Sequence, residues 1–162
     1  MTPNEALLER LGKWKPGDGR QTLLVPDAGS GWSAALTADR ADQLGCLVWE
    51  LTLRRANPPA AGDTEALRAW ADRVAARVTG LLEPLQLVEV DAPRQVAMLR
   101  SEQPARRGDE LFYYEVLLQG AGEARLRRYQ ASYQPNQRRR QIAFALTHEA
   151  IAKVAGDLTT EN

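Results

Sequence analysis

Apolar residues recur along this chain with two spacings, one suited to helices and one to strands. At the start, Thr2-Pro3-Asn4-Glu5 forms a capping box with proline at the first helical position. Leu7, Leu8 and Leu11 then make an apolar stripe and Gly12 supplies a stop, which predicts a short helix. Asp63 is a good N-cap for a longer one, with Leu67, Trp70, Ala71, Val74, Val78, Leu81 and Leu82 on one stripe and Arg68, Asp72, Arg73 and Arg77 mostly opposite. Pro84 marks its expected end. Thr147 caps a third helix, whose stripe is Ile151, Val154, Ala155 and Leu158.

The remaining segments read as strands. Thr22 to Val25 is a brief β-type run closed by Pro26, Asp27, Gly29 and Gly31, and Trp32 to Thr37 is a return strand. Thr37 to Gly45 fits either a loop or one helical turn. From Leu47 to Leu53 the odd positions Leu47, Trp49, Leu51 and Leu53 are apolar and alternate with Glu50 and Thr52, the period of a half-buried strand. Residues 57 to 62, opening with Asn57-Pro58-Pro59, form a linker. Beyond Pro84 five strands follow, at 85–91, 95–101, 111–118, 124–133 and 141–146. They are separated by Ala92-Pro93-Arg94, by the turn bearing Gly120 and Gly122, and by Pro135-Asn136.

This order predicts one α+β domain over residues 1–162. It is expected to be a single, mainly antiparallel sheet of about five to eight strands packed by a long central helix and a C-terminal helix, with a short N-terminal helix. The order resembles that of small dimeric secretion chaperones and of the PsbP and Mog1 sandwich; the likeness lies in element order alone and assigns no residue a role. In the strand 111–118, Phe112, Tyr114, Val116 and Leu118 share one face and Leu111, Tyr113 and Leu117 the other. Both faces are therefore expected to be covered, the second by a helix, the amino-terminal segment or a second copy of the chain.

Composition narrows the class. With 162 residues, 44% hydrophobic and 26% charged, the chain can bury a core without covalent staples. Cys46 is the single cysteine, which excludes an internal disulfide and any multi-cysteine metal site. No apolar run approaches the roughly 20 residues of a membrane span, and Met1 to Glu5 lacks the blocks of a signal peptide, so a cytoplasmic protein is expected. The zero net charge is unevenly spread: residues 1–93 carry −3, residues 94–140 carry +5 and residues 141–162 carry −2. Only three of the 21 basic residues are lysine; arginine prevails everywhere, a pattern that favours base composition over local selection.

Candidate chemistry is sparse. Thr147-His148-Glu149 begins like a zinc-protease helix, but position 152 is alanine where a second histidine is required. His148 alone could act as a base at a helix start, against the commoner capping or surface role. Cys46 could be a nucleophile if the fold brought His148 to it, and is otherwise a small core residue. Asp27-Ala28-Gly29-Ser30-Gly31 lacks the lysine of a phosphate loop, and Ser30 lacks the frame of a nucleophile elbow. Carboxylates that a fold could pair are Glu50, Asp109, Glu110 and Glu115.

In the basic block, Arg125, Arg127, Tyr129, Ala131 and Tyr133 alternate onto one strand face, followed by Arg138, Arg139 and Arg140. They could contact phosphates and stack bases, or pair with Glu115 or Glu123 while their stems cover apolar surface. Trp14 and Trp32 lie in glycine- and proline-punctuated segments and are candidate partner contacts or core plugs. No catalytic, cofactor or metal motif is complete. The expected function is a non-enzymatic protein-interaction module, adaptor or chaperone-like, whose partner is another protein or a second copy; the alternative is phosphate or nucleic-acid binding, with no membrane role.

Overall fold

The computed structural model describes residues 1–59 and 62–160. The capping box forms as expected, with Thr2 accepting from the Glu5 amide and Glu5 reaching back, and it starts α1 (Pro3–Lys13). Ala6, Leu7 and Leu11 are buried, whereas Leu8 faces outward and Gly12 remains inside the helix. Three strands follow, β1 (Gln21–Val25), β2 (Trp32–Ala41) and β3 (Gly45–Arg55). The stretch that suited a loop or a helical turn is instead the end of β2 and a tight hairpin. Asp42 holds that turn by accepting from the Leu44 and Gly45 amides.

The second helix, α2 (Thr64–Arg77), is capped at its start by Asp63 as expected, but it ends at Arg77 with Val78 as its C-cap, well short of Pro84. Val78 and Leu81 stay buried, as the apolar stripe requires, yet they do so on non-helical backbone that carries Glu83 into the interior. Leu82, placed on the same stripe by its spacing, is exposed once the helix has ended.

The second half supplies β4 (Leu85–Asp91), β5 (Val96–Ser101), β6 (Ala105–Arg107), β7 (Glu110–Gln119), β8 (Glu123–Ser132), β9 (Arg140–Ile142) and β10 (Phe144–Thr147), then α3 (His148–Thr159), capped by Thr147. The segment expected as one strand at 141–146 is thus split in two. Of the 57–62 linker, residues 60 and 61 lie outside the described residues.

The ten strands of the described residues form one antiparallel sheet in the order β1-β2-β3-β8-β7-β5-β4, with β10 beside β3, β6 beside β7 and β9 beside β8. The register lines up two apolar rows across six strands. One is Val25, Ala34, Leu53, Ala124, Leu118 and Ala97, and the other is Leu23, Leu36, Leu51, Leu126, Val116 and Leu99. Every one of these residues is buried, in a single cluster with the apolar stripes of α1, α2 and α3. The helices therefore lie on one face of the sheet. Trp70 of α2 donates from its indole to the Leu158 carbonyl at 2.9 Å, tying α2 to the end of α3.

Two strands depart from simple alternation. In β3 the pairing shifts where Thr37 opposes Glu50 and Ala38 opposes Val48, leaving Trp49 as an extra residue. This β-bulge puts Cys46 and Val48 on the buried face with Leu51 and Leu53, so Leu47 and Trp49 do not share that face as strict alternation predicts. In β7, Tyr114, Val116 and Leu118 meet the helix-side core as expected, whereas Phe112, placed on the same face by its spacing, is only half-buried where β6 pairs with β7. The opposite face has no helix over it among the described residues, and Glu115 interrupts its apolar run.

Candidate interaction face

The helix-free face is built from alternate residues of the central strands. One row runs across it as Thr37, Glu50, Arg127, Glu115 and Arg100, on β2, β3, β8, β7 and β5. Opposite charges alternate along the last four, an arrangement that favours neighbouring strands in this register. The Arg127 Nε donates to Glu50 at 2.6 Å, and the Arg100 Nε donates to Glu115 at 3.0 Å. Arg139 reaches over from the segment before β9 and grips both oxygens of Glu115, at 2.5 and 3.3 Å. Two guanidinium groups thus enclose one carboxylate, which is only 2% exposed.

Aromatic rings carry these arginines. The Arg139 guanidinium lies 3.8 Å from the Tyr129 ring centre, Arg100 lies 5.3 Å from Tyr113, and Arg20 lies 3.6 Å from Trp49. Tyr113 and Tyr129 are cross-strand neighbours with ring centres 6.0 Å apart. Burial works against the charged form of Arg139, but its hydrogen bonds to Glu115 and Tyr113 outweigh that and raise its pKa. Arg127 is raised in the same way, burial being outweighed by Tyr129 and Glu50. Both guanidinium groups are therefore held in place and charged.

The residues singled out from sequence divide between this face and other places. Arg125, Arg127, Tyr129 and Arg139 come together on it; Arg125 pairs with Glu123 at 3.3 Å and Glu50 at 3.8 Å. Tyr133 falls just beyond β8, more than half exposed, with Arg106 beside its ring at 4.7 Å. Arg140 donates to Gln130, and Arg138 is exposed in a small cleft with Arg140, Gln130, Ser132 and Glu110. Trp32 is 6% exposed and packs against Trp70 at 5.9 Å, so it plugs the core and is not a surface contact. Trp14 is half-buried against the same core.

The pairing of β10 with β3 sets Leu146 opposite Cys46 and Thr147 opposite Gly45, so Cys46 and His148 lie at the same end of the sheet without a hydrogen bond between them. The His148 amide donates to the Leu44 carbonyl. Burial, with the Asp42 charge adding to it, pushes the Cys46 thiol up to about 11, which disfavours the thiolate a nucleophile needs. Asp27 accepts from the Gly29 and Gly31 amides at 2.9 Å each, so the glycine-rich loop is a turn closed by its own carboxylate. Of the carboxylates, Glu50 and Glu115 share the helix-free face with Arg127 between them, while Glu110 lies in the cleft beside Arg138.

Sequence reasoning did not single out Arg20, Trp49, Tyr113 or Arg100 for this face, nor a polar cluster on the opposite one. There Arg128 donates to Glu83 at 2.9 Å, Ser101 donates to Glu83 at 3.0 Å, and the Tyr114 amide donates to Ser101. Glu115 inside an apolar strand, two residues from Tyr113, was the available signal. No helix among the described residues is long and apolar enough to cross a membrane. No protein-family model, curated protein or solved structure matches the chain.

Proposed function

We propose that this chain is a non-enzymatic protein-interaction module whose docking surface is the helix-free face of its sheet. The observation that carries the reading is the set of arginine-on-aromatic stacks at Trp49, Tyr113 and Tyr129, braced by Glu50 and Glu115 on a face that no described helix covers. Tyrosine, tryptophan and arginine dominate the energetics of protein interfaces. Side chains already held in one geometry lose less freedom when a partner arrives.

A photo-crosslinking residue placed at Ala35 or Met98, on this face, should give adducts with another chain in the host cell. The same residue at Leu8, exposed on α1, should not. An adduct of twice the chain mass would identify a second copy as the partner. Adducts absent from the face, or equally frequent from Leu8, would remove the proposal. Phosphate or nucleic-acid binding has one observation in its favour, the exposed Arg138 beside Arg140. Glu110 in the same cleft and the carboxylates interleaved on the sheet face oppose a continuous phosphate backbone.

A further inference from the structure

We infer that the partner docks through an acidic protein segment, whose carboxylates are read by Arg100 and Arg125 on this face. The inference rests on the interaction face proposed above and adds the chemistry of what it binds. Across β2, β3, β8, β7 and β5, with Arg20 and Arg139 leaning in, the six arginines 20, 54, 100, 125, 127 and 139 share the four carboxylates of Asp39, Glu50, Glu115 and Glu123. Positive charge is therefore in excess there, and it is localised. Arg100 and Arg139 divide one carboxylate, while Arg54 and Arg125 both reach Glu123. The edge strand β4 adds Glu89 opposite Met98 and Asp91 opposite Val96, the latter paired with Arg94, so the excess lies at the centre of the sheet and not at that margin.

The donors differ in how far they are engaged. Arg139 directs both terminal nitrogens to Glu115 and Tyr113. Arg100 uses only its Nε, so its terminal nitrogens are without a hydrogen bond to any described residue. Arg125 engages one terminal nitrogen with Glu123 and turns its buried Nε toward Glu50 at 3.8 Å, which leaves its other terminal nitrogen without a hydrogen bond to any described residue. A forked guanidinium with open terminal N–H groups suits a carboxylate arriving from outside. Separate positive points among fixed carboxylates match discrete acidic side chains better than a nucleic-acid backbone, whose closely spaced phosphates would meet Glu50 and Glu123.

The test is fluorescence anisotropy with a labelled glutamate-rich peptide and a labelled single-stranded oligonucleotide. Both are titrated with the full chain at low and moderate salt. The peptide should bind, weaken with salt, and lose about tenfold in affinity in Arg100→Gln and again in Arg125→Gln. Arg77→Gln, on α2, should leave binding unchanged, and circular dichroism should show each variant folded. Failure of the peptide to bind, or equal loss in all three variants, overturns the inference. Tighter binding of the oligonucleotide also overturns it. Crosslinks from Ala35 and Met98 that persist after such a failure would leave the interaction face standing and discard only its acidic partner.

Discussion

Replacing Glu83 tests the physical account of the core most sharply. Glu83 and Arg128 are 8% and 7% exposed, and they meet at 2.9 Å on the helix side of the sheet. Arg128 also lies 4.1 Å from the Tyr114 ring centre, so its charge has no easy route to water. Glu83→Ala removes the carboxylate and strands that guanidinium, which should destabilise the fold by about 3–5 kcal/mol. Arg128→Met strands the carboxylate and should cost a similar amount. The double variant Glu83→Leu with Arg128→Met buries no charge and should fall within about 2 kcal/mol of the native chain, the remainder being the Ser101 hydroxyl left without its acceptor. Urea unfolding followed by tryptophan fluorescence measures all three; a loss of about 3 kcal/mol also lowers Tm by roughly 6–12 °C in a domain of this size. Single-variant losses below about 1 kcal/mol, or a double variant equal to the sum of the singles, would refute the reasoning.

Two further outcomes follow from local geometry. A Cβ on Gly45 would lie 2.5 Å from the Leu146 carbonyl oxygen, so Gly45→Ala should force β3 and β10 apart and cost about 2 kcal/mol in the same urea assay. Asp27 and Asp42 have pKa values lowered chiefly by the Gly31 and Gly45 amides respectively. A depressed folded-state pKa gives stability that is present above the unfolded value of about 4 and is lost as pH falls through the folded one. Thermal melts from neutral to strongly acidic pH should therefore show an acid-side loss that shrinks in Asp27→Asn and Asp42→Asn.

The sequence by itself determined the helices at their starts, the strand-rich second half and the α+β class, because caps, turn residues and apolar periodicity act over a few neighbouring positions. Thr2, Asp63 and Thr147 each cap the helix expected of them. Tertiary structure decided where the chain runs after α2: the helix ends at Arg77, with Val78, Thr79 and Gly80 following, and the backbone beyond carries Glu83 to Arg128 on a strand distant in the chain. It also decided which side of β3 is dry: the bulge at Trp49 depends on pairing with β2 and leaves no mark in the alternation of β3 itself. The interaction face was half legible, with Arg125, Arg127 and Tyr129 readable from one strand. Trp49 joined them only through the pairing of β3 with β8, distant in the chain, and Tyr113 and Arg100 through the registers of β7 with β8 and of β5 with β7, which the periodicity of a single strand does not encode.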